Sequence, residues 1–146
     1  MKIRDIKKES VDSALVMYDE DHKVGFILKF IDKSEMTRLN GQFTRSKFNP
    51  KSHQKEEELD IEGLRKRIGE LGVAGWQGIT PRWLSTIIPI DTSKIEDMDE
   101  EIPFSLEELE DLLSSAYGLD GWIFENVRNG ENFNKNPAHK ADQLKN

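Results

Sequence analysis

Ala14-Leu15-Val16-Met17-Tyr18, the polar Asp19-Glu20-Asp21-His22-Lys23, and Val24-Gly25-Phe26-Ile27-Leu28-Lys29-Phe30 together decide the fold. Two apolar runs with β-branched and aromatic residues flank a polar turn, the pattern of a β-hairpin. A hairpin alone is only marginally stable in water. It must therefore lie against something apolar, either the helices that follow or a partner, and the residues after Phe30 read mostly as helix.

Ser34 stands as an N-cap before Met36, Leu39, Asn40 and Phe43, which share one stripe and predict a helix over residues 34–44. Residues 45–58 show little periodicity, contain Asn49-Pro50, and read as an exposed connection. Asp60 caps a helix with Ile61, Leu64, Ile68 and Leu71 on one face, and Gly72 is placed to end it. Val73-Ala74-Gly75-Trp76-Gln77-Gly78-Ile79 sets a tryptophan among glycines and suggests a turn closing over a buried ring. The clearest local signal is Pro103-Phe104-Ser105-Leu106-Glu107-Glu108-Leu109. Ser105 is the N-cap, Glu108 completes a capping box, and Phe104 can staple against Leu109. Leu106, Leu109, Leu113, Ala116 and Tyr117 are expected to give that helix its buried face. Asp120 can cap a last helix carrying Trp122, Ile123 and Val127.

The fold class expected is α+β, mainly α-helical, with an N-terminal β-hairpin followed by about four helices. Residues 1–12 read as a flexible arm, 13–128 as one globular domain with an irregular insertion at 80–101, and 129–146 as a flexible tail. In the tail, Phe133 and Leu144 are the large apolar side chains.

Composition narrows the function. The chain has 146 residues, no cysteine, and 21 Lys and Arg against 28 Asp and Glu, a net charge of −7. Disulfides, thiol nucleophiles and zinc–thiolate sites are thereby excluded. No apolar run approaches the roughly 20 residues a membrane helix needs, and the N-terminal residues lack the apolar core of a signal peptide. The expected place of work is the cytoplasm.

The charge is unevenly placed. Residues 36–55 hold Arg38, Arg45, Lys47, Lys51 and Lys55 and no acid, whereas residues 91–111 hold ten acids and Lys94 alone as a base. One molecule with a basic and an acidic surface suits protein partners or head-to-tail self-association. The overall acidic balance argues against nucleic acid.

No catalytic set emerges. His22, His53 and His139 fall in predicted loops or the tail, without metal-site spacing. Asp97, Asp99 and Glu101 alternate like the start of a calcium loop, but Ile102 stands where its glycine belongs. The acidic run looks solvated, unlike the shielded carboxyl that a general acid requires. Catalytic, metal and cofactor residues are therefore expected to be none. Among the tryptophans, Trp76 and Trp122 sit amid apolar neighbours and read as core. Trp83, after Pro81-Arg82 in an irregular stretch, is the candidate exposed anchor, and Arg45 and Lys47 are candidate contacts on the basic stretch.

The order of segments resembles the tail assembly chaperones of long-tailed phages and prophages. The resemblance runs from Val24 to Phe133 and rests chiefly on Gly75-Trp76-Gln77-Gly78 followed downstream by Pro103-Phe104-Ser105. Residues 80–101 depart from it, being much longer than the short acidic turn usual there. The resemblance implies a non-enzymatic protein that acts in the bacterial host cell. It would hold the tape-measure protein soluble and recruit tail-tube subunits. A tape measure is long and helical, so an apolar groove is the expected receptor. Exposed edges of the helices starting at Ser34 and Ser105 are expected to form it, with the tail beyond Asn129 touching tube subunits. Two other classes stay open: a tail or other structural component of the virion, and a small nucleic-acid-binding regulator using residues 38–55.

Overall fold

The computed structural model describes residues 1–135. Helices and strands come in the order α1 (Ile3–Ile6), β1 (Ala14–Asp19), β2 (Val24–Leu28), α2 (Lys33–Gln42), β3 (Thr44–Asn49) and β4 (Gln54–Leu59). Then come α3 (Ile61–Gly72), β5 (Val73–Gln77), α4 (Pro81–Leu84), α5 (Leu106–Ser115), α6 (Leu119–Val127) and α7 (Asn132–Lys135). The protein is a small mixed α/β molecule, 41 % helical and 21 % strand, with two antiparallel sheets.

This corrects the expectation of a mainly helical body carrying an N-terminal hairpin. β1 and β2 belong to a three-stranded sheet of order β1-β2-β5, with β2 in the centre. The third strand is the tryptophan segment, where the sequence suggests a turn. Phe26 pairs with Trp76 and Gly25 with Gln77. Val73-Ala74-Gly75 has weak strand propensity by itself. Its conformation follows from the open edge of β2, which leaves backbone groups in need of partners. The sheet is tied to the helices at the same end, where Lys29 N donates to Gly72 O at 2.8 Å and Ile31 N to Val127 O at 2.9 Å.

The second sheet overturns another expectation. Residues 45–58 are no irregular connection but most of the β3–β4 pair, in which Arg45 faces Glu58, Lys47 faces Glu56 and Phe48 faces Lys55. Nearly every residue in it is exposed. Apolar alternation is the usual mark of a strand, and a ribbon with no buried face has none to show.

The core joins the three-stranded sheet to α2, α3, α5 and α6. Phe26 lies at its centre, with Tyr18 at 6.2 Å, Trp76 at 6.3 Å and Trp122 at 5.7 Å between ring centroids. Such pairs add about 0.5–1.5 kcal/mol each beyond area burial. Gly72 sits where a Cβ would stand 2.7 Å from Val127 Cγ1, so a larger residue would push α6 off the end of α3.

Helix starts track their caps. Asp60 accepts from Gly63 N at 3.1 Å and Ser105 from Glu108 N at 3.1 Å. The return bond from the Ser105 amide to the Glu108 carboxylate is absent among the described residues, so half of the expected capping box forms. The cap of α2 is Asp32 rather than Ser34, accepting from Glu35 N at 2.8 Å. The last long helix starts after Gly118 in the left-handed region, not from an Asp120 cap.

Candidate functional site

α3 packs mainly on α6 and touches α5 over fewer residues. Lys66 Nζ reaches Glu110 Oε1 at 3.0 Å, and a Cβ on Gly69 would stand 3.1 Å from Leu113 Cδ1. The absent side chain of Gly69, whose Cβ would also meet Leu109 Cδ2 at 3.9 Å, lets the two helices approach. Towards their starts lies a groove of about 700 Å³ whose lining includes Ile61, Leu106, Leu109 and Leu113. Leu109 is buried, while Ile61 and Leu106 are each 52 % exposed. Each of these two directly follows a helix cap. The stripes Ile61/Leu64/Ile68 and Leu106/Leu109/Leu113 begin one turn before the helices meet the core.

The rim is charged and mainly acidic. Glu62, Glu70, Glu107, Glu110 and Asp120 line it with Arg65 and Lys66. Arg65 reaches Asp120 Oδ2 at 3.3 Å. The Glu110 carboxylate bonded to Lys66 holds that ammonium above the usual lysine value. These pairs are solvent-facing and contribute little to stability. They order the wall of the groove instead.

The predicted contact residues scatter. Trp83 is no exposed anchor: it is 2 % exposed and donates its indole N–H to Asp19 Oδ2 at 3.2 Å. Thr80 caps its short helix, Pro81 occupies the first turn, and the ring is carried edge-on to Tyr18 at 6.0 Å. Phe133 is likewise buried, 5.3 Å from the Phe30 ring, within α7 rather than a flexible tail. Leu144 lies outside the described residues. Arg45 and Lys47 are exposed on β3, but they face Glu58 and Glu56, and Arg45 also reaches Asp60 at 3.5 Å. Part of the acid-free stretch thus folds beside the acids that come after it, and two of its five cations form ion pairs, Arg45 with Asp60 and Arg38 with Glu35. The groove forms between α3 and α5. The helix starting near Ser34 does not line it.

The tryptophan and Pro-Phe-Ser motifs do meet, as a structural clamp. Trp76 Nε1 donates to Ile102 O at 2.8 Å, and its ring stands edge-on to Phe104 at 5.2 Å. Ile102 N donates to Ile79 O at 2.8 Å, and Gly78 N to Glu101 Oε1 at 2.8 Å. Pro103, between the two clamp residues Ile102 and Phe104, is itself exposed. Residues 80–101 are therefore closed at their base and pinned across by the Arg82 fork on Asp99 at 2.7 and 3.1 Å. Arg82 holds the Asp99 carboxyl below the usual carboxylate value.

Among the described residues no polar or charged residue is wholly buried, although Gln77 Oε1 is shielded from solvent without a hydrogen-bond partner, and no group of three His, Asp or Glu is placed to hold a metal ion. No described helix is long and apolar enough to cross a membrane. Compared with protein-family models, curated proteins and solved structures, the chain matches none.

Proposed function

We propose that this chain is a non-enzymatic binding protein of the tail-assembly-chaperone kind. In this reading it works in the cytoplasm of a bacterial host, covers an amphipathic helix of a tape-measure protein, and brings tail-tube subunits to it. The observation that supports the reading best is the α3–α5 groove. Half-exposed Ile61 and Leu106 lie above buried Leu109, with a mainly acidic rim. That is a receptor for a helix whose apolar stripe is flanked by Lys or Arg. A long helical client bears such stripes along its length and aggregates unless they are covered. The segment order from Val24 to Phe133 supports the same reading.

Co-expression with the tape-measure candidate from the same genome tests it. The wild-type chain should keep the client soluble and co-elute with it, and Ile61→Asp/Leu106→Asp should abolish both effects while the chain itself stays folded. A double variant that still solubilises and retains the client would reject the groove. A wild-type chain that leaves the client insoluble and unbound would reject the chaperone reading, and its recovery in purified virions would make it a structural component.

A further inference from the structure

The exposed large apolar side chains fall mainly in three places: Ile61 and Leu106 at the groove, Phe48 and Leu59 on the β3–β4 ribbon, and Met1, Ile3, Ile6 and Val11 on the N-terminal arm. The arm is the most exposed of the three, with Ile3 at 81 % and Ile6 at 65 %. It carries Lys2, Arg4, Lys7 and Lys8 against Asp5, Glu9 and Asp12. Lys8 Nζ donates to Phe133 O at 3.0 Å, which fixes the root of the arm on α7. The preceding residues are exposed throughout, with Ile3 and Ile6 at the edge of an open cleft that Phe30 and Phe133 also line.

Ile3 and Ile6 are three residues apart on one helical turn, so their side chains are neighbours on one face. Arg4 and Lys7 repeat the same spacing beside them. Neither cation has an ion-pair partner among the described residues, and neither do Glu62 and Glu107 on the groove rim. We infer that the α3–α5 groove of one copy receives the Ile3–Ile6 turn of a second copy. Ile3 and Ile6 cover Ile61 and Leu106, while Arg4 and Lys7 meet Glu62 and Glu107. Two unpartnered cations beside an apolar pair are matched by two unpartnered carboxylates beside an apolar pair. Charge complementarity of this kind selects the partner and speeds encounter.

The contact joins two different surfaces, so it is heterologous and leaves an arm and a groove free at the ends of every open assembly. Copies therefore grow into rings or open chains. The inference stands whether or not the groove also takes a client. If it does, the arm occupies the groove until a client displaces it.

Sedimentation velocity of the full chain over a concentration series tests the contact. Average mass should rise with concentration at low salt, and the association should weaken in high salt as exposed charges are screened. Ile3→Asp/Ile6→Asp, with its groove intact, and Glu62→Lys/Glu107→Lys, with its arm intact, should each weaken self-association about tenfold or more. Mixed together, these two variants should form a heterodimer that grows no further. Arg4→Glu/Lys7→Glu combined with Glu62→Lys/Glu107→Lys in one chain should recover association, which a general loss of structure would not allow. Circular dichroism confirms that each variant is folded. A wild-type chain that stays monomeric at every concentration overturns the inference, as does association that both variants leave intact. Arm-dependent binding to vesicles of phosphatidylserine and phosphatidylcholine without self-association also overturns it and assigns the arm to a membrane surface.

Discussion

Replacing Trp83 separates a core role from a surface role more cleanly than any other change. Its ring is 2 % exposed. Burying an aromatic side chain removes about 150–250 Å² from water, worth about 4–6 kcal/mol at 25 cal/mol per Å² as an upper bound. The edge contact with Tyr18 at 6.0 Å is lost with the ring. The indole bond to Asp19 matters less. Asp19 keeps its bonds from His22 N at 3.2 Å and His22 Nδ1 at 2.8 Å, and it is partly open to water. Trp83→Ala should therefore cost about 3–5 kcal/mol. Trp83→Phe keeps most of the packing and loses the indole bond, and should cost about 1–2 kcal/mol. With a urea slope of roughly 2 kcal/mol/M, the alanine variant's midpoint should fall by about 2 M at unchanged slope. Equilibrium unfolding followed by circular dichroism reads both values. An alanine variant within about 0.5 kcal/mol of wild type, the range of ordinary surface changes, would show that Trp83 is not packed as described.

Gly78→Ala should destabilise by about 2 kcal/mol or more. Gly78 has φ +78°, and a Cβ there would stand 2.5 Å from Lys23 O, a backbone contact added to the roughly 1–2 kcal/mol of left-handed strain; an unchanged midpoint in the same unfolding assay would contradict that geometry. Replacing residues 45–58 with Asn-Gly should leave the melting temperature nearly unchanged, because Asp60 N already bonds Phe43 O at 2.8 Å at the base of the ribbon and an Asn-Gly turn suits a short antiparallel connection; calorimetry showing a large drop would mean that the ribbon supports the core. Acid should destabilise the fold. Arg38 holds Glu35, and Arg82 holds Asp99, below the usual carboxylate values. At Asp19, burial pushes upward, but the bonds from His22 and Trp83 outweigh it and the net direction is down. A depressed carboxylate contributes stability above its unfolded value of about 4 and loses it as pH falls through the folded value. Melting temperature measured across pH 2–6 should fall below about pH 4, and Arg82→Gln should flatten part of that slope; a slope unchanged in the variant would remove Asp99 from the account.

Sequence alone determined the features that depend on neighbours along the chain. Asp60 and Ser105 cap their helices because a side-chain oxygen needs only an amide three residues on. Leu64, Ile68, Leu109 and Ile123 are buried because helical spacing puts them on one face. Features that depend on distant partners were decided by the tertiary structure. Val73–Gln77 is a strand because β2 offers it an open edge from the other half of the chain. Trp83 is buried because its turn brings it against Tyr18 and Asp19, the latter 64 positions away in sequence. Arg45 and Lys47 lie opposite Glu58 and Glu56 because the ribbon folds back on itself, which linear charge counting cannot register. Ile61 and Leu106 look in the sequence like ordinary first residues of core stripes. They line a groove because Gly69 and Leu113 bring α3 and α5 together further along, and the starts of both helices remain open.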